Sequence, residues 1–99
     1  MAVNDKQKRY LRGLAHTLKP VVMIGNKGLT DAVIAEIDNA LSHHELIKVR
    51  VSGQEKAERS QMLDEIAAKT DADIIHVIGH IGGLYRPAKE PIIQLPKSK

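Results

Sequence analysis

The 99-residue chain has no cysteine, tryptophan or phenylalanine, and Tyr10 and Tyr85 are its only tyrosines. Without cysteine neither a disulfide frame nor a thiolate metal site can form, and nothing ties the chain to an oxidising compartment, so a cytoplasmic location is expected. With so few rings, a core has to be built from Ile, Leu and Val. No stretch approaches the ~18 apolar residues of a membrane span. The basic cluster Lys6, Lys8, Arg9 is not followed by the apolar segment of an export signal, so neither secretion nor membrane insertion is expected. Catalytic patterns are missing too. There is no GxSxG elbow and no HExxH, and the adjacent Asp64 and Glu65 point about 100° apart on a helix, which makes them no acid/base pair. Neither covalent chemistry nor a cofactor is expected.

The hydrophobic share of 42% suffices for one core, and the length suits a single domain over 1–99. The net charge of +3 is modest, but it is unevenly spread. Residues 1–28 carry Lys6, Lys8, Arg9, Arg12, Lys19 and Lys27 against Asp5 alone, a balance of +5. Residues 29–45 carry Asp31, Glu36, Asp38 and Glu45 with no Lys or Arg, a balance of −4. From Leu84 onward, Arg86, Lys89, Lys97 and Lys99 against Glu90 give +3. A polyanion-binding face follows if the two ends meet in space, and a solubilising surface if they do not.

Asn4 and Gln7 have the spacing of a capping box, and Tyr10, Leu11, Leu14, Ala15 and Leu18 then recur at helical intervals. The apolar stripe of this first helix lies opposite Arg9, Arg12 and His16, with Lys8 and Lys19 on one shoulder, so its exposed face is expected to be basic. Lys19-Pro20 ends it. The run Val21–Ile24 reads as a buried strand, Thr30 caps a second helix bearing Val33, Ile34, Ile37, Ala40 and Leu41, and His43 and His44 close it. Ile47, Val49 and Val51 alternate with Lys48 and Arg50, a strand whose second face is basic and wet. A third helix runs from about Glu55 to Thr70, burying Met62, Leu63, Ile66 and Ala67. Ile74–Ile78 is another strand. Gly79 to Gly83 reads as a turn, a short last strand begins at Leu84, and the tail from 87 on is irregular because of its prolines. The order α-β-α-β-α-β-β predicts a two-layer α/β fold with a mixed four-stranded sheet and the helices largely on one face.

Gly25-Asn26-Lys27-Gly28 sits between a buried strand and a helix start. Glycines admit positive φ and close approach by a ligand, the helix N-terminus carries partial positive charge, and Lys27 adds a full one, so phosphate fits best. The loop is not a nucleoside-triphosphate P-loop, since no Ser or Thr follows Lys27 to hold magnesium. A GxxG loop before a helix is the device by which KH domains clamp a nucleic-acid backbone.

Gly13-Leu14-Ala15-His16, Lys19-Pro20-Val21-Val22, Gly25 through Thr30, His43 through Val49 and Leu84-Tyr85-Arg86-Pro87 together resemble the bacterial YhbY family, the stand-alone form of the CRM RNA-binding domain, over nearly the whole chain. The resemblance implies a fold like the C-terminal domain of translation initiation factor three. It further implies RNA contacts through the GxxG loop and association with precursors of the large ribosomal subunit; related domains in plants serve intron splicing. Carried over by position, the RNA-binding residues are Gly25, Asn26, Lys27 and Gly28, with Lys6, Lys8, Arg9, Arg12 and Arg86 in support. The expected partner is structured RNA, ribosomal RNA in large-subunit precursors, bound by a monomer that aids ribosome assembly. One departure stands out: Gly82 and Gly83 replace apolar strand residues, which puts the length of the last strand in question.

Other features have plainer readings. His43-His44-Glu45 with His76 and His80 invites a metal, but adjacent histidines in a strand point oppositely and HExxH is absent, so no metal is expected and His43 and His44 are read as finishing the second helix, where they suit its C-terminal dipole. Tyr85 either stacks on a base or plugs the sheet edge. A reading from another class makes the chain a protein adaptor whose acidic second helix docks a basic ribosomal protein.

Overall fold

The structure is a computed structural model that describes residues 3–25, 28–53 and 55–96. Its elements are α1 (Asp5–Ala15), β1 (Pro20–Ile24), α2 (Asp31–His44), β2 (Leu46–Val51), α3 (Lys56–Thr70), β3 (Asp73–Ile78) and β4 (Ile81–Tyr85). Local chemistry explains the boundaries. The Asn4 side chain accepts the Gln7 N–H at 2.8 Å and the Gln7 side chain accepts the Asn4 N–H at 3.1 Å, closing the capping box of α1. Thr30 Oγ1 accepts from the Val33 N–H and starts α2. Glu45, at φ 62°, stops it and lets β2 begin at the next residue.

The strands lie in the order β1-β2-β4-β3. β1 and β2 are parallel, as expected for a helical crossover, and β4 runs antiparallel to both β2 and β3. One face carries Val22, Ile24, Ile47, Val49, Val51 and Leu84, packed against Ile37 and Leu41 of α2 and Leu63 and Ile66 of α3. The other carries Leu46, Ile75 and Tyr85, packed against Val3 and against Leu11 and Ala15 of α1. Two helices therefore share one face as expected, while α1 adds a partial third layer across half of the opposite face. The apolar stripe expected for the first helix is only partly used: Leu11 and Ala15 are buried, whereas Tyr10 and Leu14 remain exposed, as does Leu18, which lies beyond the end of α1.

The expected turn over Gly79–Gly83 is shorter than that span. Only Gly79 and His80 turn, and Gly82 and Gly83 are central residues of β4. Packing gives the reason. A Cβ on Gly82 would stand 2.6 and 2.9 Å from the two Leu63 methyls of α3, so glycine lets α3 settle directly on the strand backbone. On the opposite face a Cβ on Gly83 would meet Ile75 Cγ1 at 3.0 Å and His76 Cε1 at 3.2 Å. Turn-forming glycine and strand-thinning glycine look alike in sequence.

The segment after β4 has no regular structure, yet it is tied down. Glu45 is fully buried, and its carboxylate accepts the N–H groups of Ala88 at 2.7 Å, Ile92 at 2.8 Å and Ile93 at 2.6 Å. Ile93 and Leu95 then pack beside α1, and Gln7 Nε2 donates to the Pro96 carbonyl at 3.1 Å. The first and last described segments of the chain thus meet on one side of the sheet. Burial and the neighbouring carboxylates of Glu45 and Asp73 push the Tyr85 phenol above its ordinary pKa, so it is neutral at physiological pH.

Two outcomes follow for stability. Gly82→Ala should cost about 1–3 kcal/mol in urea denaturation, and its pairing with Leu63→Ala should cost less than the two changes added together, because the shortened side chain vacates the space of the new methyl. Glu45→Gln should cost at least ~2 kcal/mol and accelerate amide exchange at Ala88, Ile92 and Ile93, then in α1, if the carboxylate holds the tail and the tail holds the helix.

Candidate nucleic-acid interface

Strand register sorts the face bearing α1 into three transverse rows. Leu46, Tyr85 and Asp73 form the first, which α1 and the tail cover. The second is Pro20, Lys48, Gly83 and His76. The third is Met23, Arg50, Ile81 and Ile78, and it lies in the open. Met23 at 72% and Ile78 at 71% exposure are apolar side chains turned to water, with the exposed Arg50 and half-buried Ile81 between them. Neither of these rows contains an acidic residue.

Lys48 and His76 flank Gly83, whose missing side chain leaves them facing each other across β4. Lys48 Nζ donates to the Leu18 carbonyl at 3.1 Å, anchoring the chain where it leaves α1. Burial first, then Lys48 and then Arg12, hold the His76 pKa below the ordinary histidine value, so its ring is neutral at pH 7. The Arg12 contribution puts that side of α1 against the open rows. Helical spacing gives Lys8 and His16 to the same flank, and Arg9 to the outer surface.

The glycine turn lies at the open end of the sheet, two residues beyond Met23. The Gly28 N–H donates to the Gly25 carbonyl at 3.0 Å and Gly28 has φ 71°, which favours glycine. Ser52 braces the turn through Oγ to the Gly25 carbonyl at 3.0 Å and through its N–H to the Ile24 carbonyl at 3.2 Å. Arg59 joins the neighbouring loops, Nε donating to the Gly79 carbonyl at 3.1 Å and a terminal nitrogen to the Gly53 carbonyl at 3.0 Å. The His80 ring lies 3.0 Å from the Val51 carbonyl. Met23, Gly25, Arg50, Ser52, Gly53 and His80 thus border one cleft. On the α3 side of the same turn, Glu55 and Glu58 line a second cleft with Gly25 and Gly28.

Of the nine residues expected to bind RNA, the structure gathers four around this open half-face. Gly25 and Gly28 end it, and Lys8 and Arg12 border it from α1; Arg9 lies on the outer surface of that helix and Lys6 is exposed at its start. Asn26 and Lys27 lie outside the described residues. The committed Gly28 N–H means that the turn offers fewer main-chain donors than its sequence suggests.

Arg86 is elsewhere. It follows β4 at the covered end of the sheet, with one terminal nitrogen 2.6 Å from Asp38 Oδ1 and 2.8 Å from the Thr70 carbonyl. The other donates to the Asp38 carbonyl at 3.0 Å and Ser42 Oγ at 2.9 Å. Such saturation makes it a clamp between β4 and the α2 and α3 C-termini. Tyr85, 2% exposed, plugs the covered row and is not available for stacking.

Reasoning from sequence singled out the basic strand face but did not place Arg50 in the site; the alternation around it was the signal. It quoted Gly13 in a family motif but gave it no role. That residue is helical and exposed, and nothing lies within 4 Å of where its Cβ would be. The same open space surrounds Gly25, whose φ is not positive. His43 Nδ1 lies 2.8 Å from the Asn39 carbonyl, within its own helix. Among the described residues, no group of three or more His, Asp or Glu side chains is placed to hold a metal, and no helix is long and apolar enough to cross a membrane.

Comparison with known proteins agrees with this architecture. A Haemophilus influenzae protein named RNA-binding protein is 52% identical over 95 residues, covering 96% of each chain. A Pseudomonas aeruginosa protein named as a probable RNA-binding protein is 38% identical over 91 residues, covering 92% of this chain and 88% of its own. The solution structure of a hypothetical Staphylococcus aureus protein, described as a candidate RNA binder, superposes with a TM-score of 0.84 at 35% identity, covering 96% of this chain and all of that one. The profile of the CRS1/YhbY (CRM) domain matches residues 3–86, and the chain belongs to that family.

Proposed function

We propose that this protein binds structured RNA through its phosphates, with the Gly25–Gly28 turn and the basic flank of α1 as the two grips, and that it does so on ribosomal RNA in precursors of the large subunit, aiding their assembly as a monomer in the cytoplasm. The observation that carries the reading is the common border of these grips: both edge the same open half-face, on which Lys48 and Arg50 stand with no acid in their rows. The names of the relatives support RNA as the partner. The ribosomal assignment rests on the family resemblance.

Two unexplained glycines add support. Gly25 has neither positive φ nor a crowding neighbour, and a helix interior glycine such as Gly13 costs ~1 kcal/mol against alanine. The fold itself gives no reason for either. A backbone brought within van der Waals distance would.

The adaptor reading has less to stand on. Of the four acids between residues 29 and 45, Asp38 is paired with Arg86 and Glu45 is buried on the tail, leaving Asp31 and Glu36 to attract a basic partner. The reading includes no covalent step.

Two measurements test it. Binding to ribosomal RNA should weaken steeply with salt, and Lys27→Ala should lower affinity for unrelated sequences about equally while reducing the log–log slope by roughly 0.7–0.9, one phosphate contact. A salt-independent affinity would sink the electrostatic grip. Gly13→Ala should move stability and binding in opposite directions, raising the unfolding free energy by up to ~1 kcal/mol while weakening RNA binding. Unchanged affinity in the stabilised variant would mean that RNA does not approach α1 closely.

A further inference from the structure

The open row of the sheet has a composition that phosphate binding does not account for. Met23, Ile81 and Ile78 present aliphatic side chains around Arg50, and two of the three are more than two-thirds exposed. Exposed apolar side chains set beside cations on an otherwise uncovered face mark an interaction surface. The occupant has to be anionic along one side and apolar on its faces. An unpaired stretch of nucleic acid meets both demands, because its bases expose flat apolar faces once they leave a helix.

Geometry favours the same ligand. Four strands at ~4.8 Å spacing make the row roughly 14 Å across, with α1 rising on one side and the braced turn closing the end. That is a trough for a single strand. The acids set its direction: Glu55 and Glu58 border the Gly25–Gly28 turn on the α3 side, whereas the sheet side holds Arg50 and His80. A phosphate chain held at the turn is repelled from α3 and drawn toward the row and α1.

We propose that the row Met23–Arg50–Ile81–Ile78 receives unpaired bases of the RNA whose phosphates are held at the Gly25–Gly28 turn and α1, so that the ligand is a loop or single-stranded segment in preference to a continuous duplex. The inference rests on the phosphate-binding reading above and names the ligand class of that site. Contact is made by the Arg50 guanidinium plane and by aliphatic side chains, since Tyr85 is buried under the covered row. The bases are accommodated with little discrimination among the four, because stacking and apolar contact read no hydrogen-bond edge.

The test is fluorescence anisotropy of the full chain and of its Met23→Ser/Ile78→Ser double variant with a labelled oligouridylate of about twelve nucleotides and with an RNA duplex of the same length, across a salt series. Both side chains are largely in water, so the variant should melt at the wild-type temperature. Its affinity for the single strand should fall about five- to tenfold with the salt slope unchanged, and its affinity for the duplex should stay within about twofold. Equal losses on both probes, or no loss on the single strand, overturn the proposal. So does sedimentation equilibrium showing a wild-type dimer that the variant dissolves, because the row would then be a contact between copies. Salt-independent binding of the wild type would overturn the phosphate reading as well, whereas a normal wild-type slope with an inert double variant overturns the base row alone.

Discussion

The Glu45 carboxylate accepts three main-chain N–H groups from the tail in a site without solvent exposure, and the geometry of the basic face follows from it. An ionised carboxylate out of water costs several kcal/mol unless donors replace its hydration, so the tail is required to pass where it does. The tail then presents Ile93 and Leu95 to α1 and the Pro96 carbonyl to Gln7. Helix α1 is short, and 11 residues in isolation would be marginal. Its place on the sheet is fixed by Leu11 and Ala15 beneath it and by the tail beside it. A buried charge more than 40 residues from the tail in sequence therefore decides where Arg12 and Lys8 stand.

The sheet also separates charge. On the α3 side, Glu55 and Glu58 meet the glycine turn, while on the α1 side Lys48 and Arg12 act on His76, with Arg50 in the next row. Burial chiefly depresses the His76 pKa, and the cations of Lys48 and Arg12 lower it further. Gly82 and Gly83 make the partition compact, because a strand thinned on both faces lets α3 approach on one and lets Lys48 and His76 face each other on the other. The same residues that interrupt the expected apolar pattern of β4 bring its two sides into service.

Much of this was legible in the residue order. Helical spacing located the three helices, the capping box at Asn4 and the cap at Thr30 fixed two of their starts, and the alternation from Ile47 to Val51 identified the strand with a basic face. Contacts between distant segments were not legible. Gly82 and Gly83 read as turn because the Leu63 methyls that require them come from another helix. Glu45 read as part of a histidine cluster because its partners follow it by more than 40 residues. Arg86 carried the right charge and position in its motif, yet its four donor contacts with Asp38, Ser42 and Thr70 arise only when β4 meets the ends of α2 and α3. Helix α1 was readable as an element, but of the stripe expected for it only Leu11 and Ala15 are buried, and Leu18 lies beyond the helix end at Ala15.

Counting charge along the chain and mapping it in space lead to different sites. The positive balance of the C-terminal stretch includes Arg86, which Asp38 neutralises at 2.6 Å, so its field beyond the contact is small. The middle of the chain has almost no net charge by sequence, yet Lys48 and Arg50 rise from it onto the uncovered face, away from the α3 acids that cancel them in the sum. At physiological ionic strength exposed charges act over about 8 Å, so only this local arrangement is felt by an approaching phosphate. A net charge of +3 is too small to draw a polyanion to the whole surface, and the strand-level separation of signs confines the attraction to the side where α1, Arg50 and the glycine turn meet.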